Sequence, residues 1–379
     1  MKKILIVFSV GLLIAALFSV PMIHKVKADW AGYSWGVLDS VSMINEDDGW
    51  AVGSQGEIVH WDGINWTEYE SSVYQDLYSV CMINETDGWI GGYFGTVLRW
   101  NGTDWNDVSE IYDLGDTHSF FMVDENDGWA VGSSIFGTIH RWDGTNWTDY
   151  GNTVTIDSPT HYQLQEVCMV DENDGWAVGY AMEYVGANNA LRWNGTNWNL
   201  VQLPINTTLY SVSMVSADDG WAVGDYGKIL HWNGSSWNEF PSPMEDYYTN
   251  SLLSVRMIDA DNGWAVGGNL GAEEMMILNW NGTAWNEVES PSEGYLRSVY
   301  LFNATDGWAV GAKGYGWIVR LTPTGEWIIP DLPAGIMLLF LMIFMISVAF
   351  AVKRLIKKSS VTLKKMLSIK KIELLRILR

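Results

Sequence analysis

An all-β fold built from one repeated four-strand unit is predicted by three observations. The tripeptide Asp-Gly-Trp, once as Asn-Gly-Trp, recurs seven times, with Trp at 50, 89, 129, 176, 221, 264 and 308. The spacings are 39, 40, 47, 45, 43 and 44 residues, and every copy keeps one order of short alternating segments and Gly turns. Twenty of the 23 Trp residues occupy three fixed positions of that repeat. Four short strands per unit of this length, repeated along the chain, are the signature of a β-propeller, here of seven blades over residues 29–329. One transmembrane helix is expected after it.

Each strand of the unit has its own justification. The first alternates apolar and small residues, as in Val80-Cys81-Met82-Ile83 and Val212-Ser213-Met214-Val215. An acidic turn leads into the second strand, Gly-Trp-Ala-Val-Gly. A Gly turn then leads into an aliphatic third strand ending in Trp. An Asn-Gly or Asp-Gly turn and a last Trp strand close the unit, as in Trp232-Asn233-Gly234-Ser235-Ser236-Trp237. The pairs Asp62-Gly63, Asn101-Gly102, Asp143-Gly144, Asn194-Gly195, Asn233-Gly234 and Asn281-Gly282 suit the positive φ angles of a type I′ hairpin. No long helical stripe is present, which excludes a helical solenoid. The tryptophans read mainly as large aromatics wedged between blades. Ring closure has two solutions. Asp29-Trp30-Ala31-Gly32-Tyr33 matches the pattern of Asn65-Trp66-Thr67-Glu68-Tyr69 and is expected to supply the outer strand of the last blade, with 326–329 as a stalk toward the membrane. The opposite assignment, with Trp327 in the last blade, also closes the ring.

Charge separates the ends from the middle. The 379 residues are 48% apolar and 18% charged, too apolar for a disordered chain. Once the four Lys of 1–28 and the ten basic residues and Glu373 of 353–379 are set aside, 8 basic and 44 acidic residues remain, a net of −36. Nucleic-acid binding through clustered Lys and Arg is excluded. Lys2 and Lys3, the apolar run 4–20 and the small residue Ala28 read as a secretory signal over 1–28. Residues 334–352 carry no charge and are long enough to cross a membrane; Lys353, Arg354, Lys357 and Lys358 place the C-terminal tail in the cytoplasm. The expected topology is a single-pass cell-membrane protein with residues 29 to about 333 outside. The Lys pairs and aliphatic residues of 353–379 suit a basic amphipathic tail on the inner leaflet. Ile329-Pro330-Asp331-Leu332-Pro333 resembles the proline-bracketed signals read by archaeal sortase-like enzymes, but the chain runs 21 residues past Lys358, so the helix is expected to be retained.

The unit Gly-Trp-Ala-Val-Gly…Gly…Trp-(Asn/Asp)-Gly-x-x-Trp resembles the repeats of photosystem II assembly-factor propellers and of the wider Asp-box group, which includes sialidases. The resemblance covers roughly 29–329 and points to a prokaryotic, archaeal cell-surface propeller. An Asp-box places its Asp five residues before Trp; here Asp or Asn stands four before, so the turn is one residue shorter. The resemblance implies the fold and does not transfer an activity.

The most informative polar set precedes the end of the third strand: His60, Arg99, Arg141, Arg192, His231, Asn279 and Arg320. One reading is a polar belt that grips an anionic or sugar ligand, since Arg suits bidentate carboxylate contacts. The other is that each pairs with a turn acid such as Asp87, Asp127, Asp174 or Asp306. No catalytic residues are assigned. A sialidase would need several Arg converging on a carboxylate, with a Tyr nucleophile and Glu partner, and no irregular cluster stands out against the repeat. The acidic turns 45–48, 124–127, 171–174 and 259–262 lack EF-hand spacing and read as solvated turns rather than Ca²⁺ sites. No cofactor or metal is expected. Cys81 and Cys168 share a repeat position on non-adjacent blades and are expected to be buried free thiols. Asn65, Asn84, Asn101, Asn146, Asn194, Asn206, Asn233, Asn281 and Asn303 begin Asn-x-Ser/Thr sequons and are glycosylation candidates. The insertions 180–189 and 268–276 break the repeat and are the best loops for a partner. Function is expected to be binding or scaffolding of an extracellular protein or glycan. The alternatives are a sialidase-like glycoside hydrolase and an assembly factor for a membrane complex.

Overall fold

The computed structural model describes residues 36–328, apart from 134–137, 152–161, 182–188, 245–248, 270–273, 292, 314–315 and 323–326. The expected signal, membrane span and tail lie outside the described residues, among which no helix is long and apolar enough to cross a membrane. The described strands fall into seven successive four-strand meanders. In the first, β1 (Leu38–Asn45), β2 (Asp48–Gly53), β3 (Ile58–Trp61) and β4 (Trp66–Glu68) pair antiparallel in chain order. The same order recurs over 77–107, 116–149, 162–202, 209–240, 250–287 and 295–328, which form units 2 to 7. Units 3 and 4 are joined by one bridge between Ser133 and Gln163.

Two glycines of the Gly-Trp-Ala-Val-Gly strand are demanded by close approach. Gly49 pairs with Met43 of the first strand, and a Cβ on it would meet the Met43 sulfur at 2.3 Å. A Cβ on Gly53 would lie 1.8 Å from the Val37 carbonyl oxygen. The repeat therefore writes Met on the first strand and Gly opposite it, a pairing repeated at Met169 and Gly175 and at Met214 and Gly220.

The turns correct one expectation. In the Asn-Gly and Asp-Gly turns only the glycine takes positive φ, for example 90° at Gly102. The loop has four residues between the paired Trp100 and Trp105, and Asn101 Oδ1 accepts the N–H groups of Thr103 and Asp104 at 2.9 and 2.8 Å. The Asn or Asp is there to cap its own turn. Type I′ geometry occurs instead between the second and third strands. Gln55-Gly56, Phe94-Gly95 and Tyr226-Gly227 have both residues at positive φ, the non-glycine member at 59°, 61° and 59°.

Ring closure takes the opposite assignment to the expected one. Ile328 and Trp327 pair with Arg320 and Leu321, so the last unit completes its own sheet and these two residues are not a free stalk. Closing a hairpin over a handful of residues costs less chain entropy than recruiting a strand from the far N-terminus. Trp30 lies outside the described residues. The ring is closed by packing between units 1 and 7, where Trp308, Val310 and Ile318 share a core with Leu38, Val59, Trp61 and Trp66.

Tryptophan organises every described core between units. The second-strand Trp of a unit lies against the third-strand Trp of the next and edge-on to its fourth-strand Trp. Trp129 with Trp193 (4.8 Å, 60°) and Trp198 (5.1 Å, 87°) is typical, as is Trp176 with Trp232 and Trp237. Offset and edge-on geometry is the favoured arrangement of such rings. Each third-strand Trp also donates its indole N–H to its own acidic turn, as Trp100 does to the Glu85 carbonyl at 2.9 Å.

Candidate binding site

The predicted belt is placed on the third strands, and its members act within and between units. Arg99 donates to both oxygens of Asp87 at 3.0 Å, and Arg141 to Asp127 at 2.9 and 3.0 Å. Arg192 reaches Asp174 at 2.8 and 2.9 Å, and Arg320 reaches Asp306 at 3.3 Å. His60 and His231 lie 2.8 and 2.7 Å from Asp48 and Asp219. Each partner is the turn acid of the same unit. The cations also cover indole faces: the Arg99 guanidinium stands 4.7 Å from its own Trp89 and 5.1 Å from Trp142 of the next unit. Bidentate pairing with a ring face on each side makes a clamp across the unit boundary. The hydrogen bonds to Asp127 and to Asp174 push the Arg141 and Arg192 guanidiniums above their ordinary range. Asn279 differs, with Asn262 in the acid's place, and it donates to the Gly263 carbonyl at 3.3 Å. None of the seven lines the central channel.

That channel, about 530 Å³, is lined by the first strands of all seven units. Sequence reasoning read these strands only as alternating apolar and small residues, yet they carry a second repeat, a Ser three residues into Leu-x-Ser-Val. Ser40 accepts the Val80 N–H (3.2 Å), Ser79 that of Phe120 (3.1 Å), Ser119 that of Val167 (3.4 Å) and Ser211 that of Val255 (2.9 Å). Ser254 accepts from Val299 (3.3 Å) and Ser298 from Val41 (3.4 Å), which closes the circle. In unit 4 the position is Glu166, whose carboxylate accepts the Val212 N–H at 2.7 Å. The signal for this belt was one Ser per repeat with a single Glu substitution.

Irregularity gathers in the channel. Burial pushes the Glu166 carboxyl up to about 7, against the opposing pull of Ser211, the Val212 N–H and Arg256. Asp39 is pushed up to about 6 by burial, although Arg297 donates to it at 2.8 Å. Burial raises Tyr78 to about 12 and lowers His118, whose Nδ1 is 2.9 Å from the Leu164 carbonyl. Tyr210 is held protonated by burial and by Asp225, which accepts its hydroxyl at 3.0 Å.

The other candidates resolve simply. The acidic turns spend their first side chain on their own backbone, as Asp124 Oδ1 does on the Asn126 N–H at 2.7 Å. Among the described residues no group of three His, Cys, Asp or Glu could hold a metal ion. Both cysteines are free thiols; Cys168 is buried, but Cys81 is only half-buried, because its first strand borders the channel. The nine sequon asparagines lie on strand ends and turns, with Asn65 and Asn84 half-buried and the other seven exposed. Residues 182–188 of the first insertion and 270–273 of the second lie outside the described residues.

A ring of four-strand units around a channel lined by first strands makes this chain a β-propeller. No protein-family model matches it, and no curated protein matches it. Among solved structures it is similar to YCF48 from Cyanidioschyzon merolae, with TM-score 0.58 and 19% identity over 78% of this chain and 98% of that one. YCF48 bound to D1 peptide matches with TM-score 0.58 and 18% identity over 76% and 94%. The WD40 propeller domain of Doa1 matches with TM-score 0.58 and 13% identity over the same shares. At these identities the likeness establishes the fold.

Proposed function

We propose that this protein is a non-catalytic binding or scaffolding module, a seven-bladed propeller held at the outer face of a cell membrane by the helix of 334–352. The observation that carries it is the division of its polar groups. The clamp residues and turn acids are consumed in holding the ring, while the channel and the inserted loops depart from the repeat, and departures are where a partner can be recognised. The propeller likenesses include a peptide complex of YCF48, which favours a protein partner over a glycan and keeps the assembly-factor reading open for this chain. The topology rests on the signal of 1–28, the uncharged run and the basic tail. Glycans on the exposed sequons belong to the same proposal.

The test is chemical cross-linking of the tagged full-length chain in its own membranes, beside a variant with Arg99, Arg141 and Arg192 changed to Ala whose folding is checked by thermal melting. Saturable capture of one partner by both forms is the expected result. Loss in a folded triple variant would move the site to the clamp belt. Release of sugar from envelope glycans with no partner captured would replace scaffolding with a sialidase-like hydrolase.

A further inference from the structure

Eight Lys and Arg residues lie between 36 and 328, and seven of them have a carboxylate within ion-pair distance: Arg99, Arg141, Arg192, Arg297, Arg320, Lys228 and Lys313. Arg256 is the eighth. It stands on the first strand of unit 6 in the channel wall, exposed, and no hydrogen bond or ion pair engages it among the described residues. Between residues 29 and 352 the net charge is −36, so leaving one cation unneutralised runs against the local balance. The equivalent residues of the other units are Ser42, Cys81, Phe121, Cys168, Ser213 and Tyr300, none of them cationic. Glu166 senses Arg256 electrostatically, but its carboxylate is spent on the Val212 N–H and lies beyond ion-pair distance.

The surroundings define what would fit. Phe121, at the level of Arg256, and Met82 and Met122, one residue further along their first strands, line the same channel. All three are half-buried, so apolar surface reaches the channel space. These side chains form an apolar collar in the channel wall at the level of Arg256. Tyr300, on the neighbouring first strand, also senses Arg256 and lines the same wall.

We propose that the channel binds a monocarboxylate carried on an apolar chain, its carboxylate on the Arg256 guanidinium and its chain against the collar. A guanidinium presents paired N–H groups that match two carboxylate oxygens. A dianion is disfavoured, because Glu166 and Asp39 share the channel and only one cation is free. The channel is also one of the two regions proposed for a partner, but this site needs no macromolecular partner, and its failure would leave the inserted loops and that reading intact.

The test titrates carboxyl-¹³C-labelled octanoate into the full-length chain in nanodiscs, with Arg256→Gln and Arg256→Lys in identical preparations so that lipid partitioning cancels. Octanoate should bind the wild type at least tenfold more tightly than Arg256→Gln, with Arg256→Lys between them, and octanol and octyl phosphate should each bind at least tenfold more weakly. Because Arg256 holds no hydrogen bond within the described residues, both variants are expected to melt within about a degree of the wild type. Binding equal in wild type and Arg256→Gln would overturn the site, as would no octanoate binding at all. Octanol binding as well as octanoate would reduce it to the collar alone and equally refute the carboxylate role.

Discussion

Unit 6 and its boundary with unit 7 differ from the rest of the ring at the same structural level. Elsewhere a second-strand Trp meets two indoles of the next unit, beneath an Arg or His that pairs with a turn acid. At the 6–7 boundary Leu321 ends the third strand of unit 7, Asn279 replaces the cation and Asn262 the acid. Trp264 instead turns its N–H to the Ala304 carbonyl at 3.1 Å. Both halves of the clamp are absent together, as expected when removing one alone would strand a partly buried charge. The same unit places Arg256 on its inner strand. A repeat can therefore give up its clamp where its neighbours hold the ring, and the free cation stands in the unit that did so.

The largest expected effect is in the aromatic cores. Trp129→Ala should cost about 3–5 kcal/mol, because a fully buried indole between two others leaves a cavity. Trp264→Ala should cost about 1 kcal/mol less, since Leu321 stands where the other boundaries place a third-strand Trp. Chemical denaturation with matched m-values measures both. Equal losses would mean that the 6–7 boundary is packed as tightly as the others.

Next comes the dependence on pH. Glu166 has its folded pKa raised from 4.5 to about 7, so the folded chain keeps a proton that the unfolded chain releases. Stability from this group is complete below about 4.5 and is lost as pH rises through 7. Asp39 acts in the same sense between 3.8 and about 6. The melting temperature should fall as pH rises from 4.5 to 7, and Glu166→Gln should flatten that fall, leaving the part due to Asp39. Parallel melting curves for wild type and variant would show that Glu166 does not carry the dependence.

The fold was legible because its cause is periodic. Asp-Gly-Trp, the Met opposite Gly49 and the three Trp positions each encode a contact that recurs in unit after unit. Turn geometry was not legible in the same way, because Asn-Gly signals a two-residue hairpin, whereas the four residues between the flanking tryptophans make Asn101 a side-chain cap. Ring closure depended on whether 322–326 could close locally, which a pattern shared by Trp30 and Trp327 does not decide. The clamp belt was visible as a column of residues, but its partners required the register that sets Trp89 opposite Arg99. The channel was missed for the opposite reason. Asp39, Glu166, Arg256 and Arg297 occur once each on strands whose common feature is small and apolar, and single departures carry no periodic signal. Their meaning appears only when seven first strands surround one space.

The smallest expected effect tests the comparison most directly, by rebuilding the clamp in unit 6. Asn279→Arg alone should give no gain, because Asn262 offers no charge to meet it. Asn262→Asp alone should cost a few tenths of a kcal/mol by adding an unpaired acid to an already acidic face. Together they should recover about 0.5–1 kcal/mol of coupling, the size expected of a half-exposed bidentate pair, measured as a double-mutant cycle. The equivalent pair Arg141 and Asp127, cut in the same way, should give the same coupling with an added contribution from the Trp193 face, which Leu321 cannot supply in unit 7. A graft with no coupling would mean that the backbone of unit 6 has moved too far for the clamp to form. Its loss there would then be a feature of the fold around Arg256, beyond the two side chains exchanged.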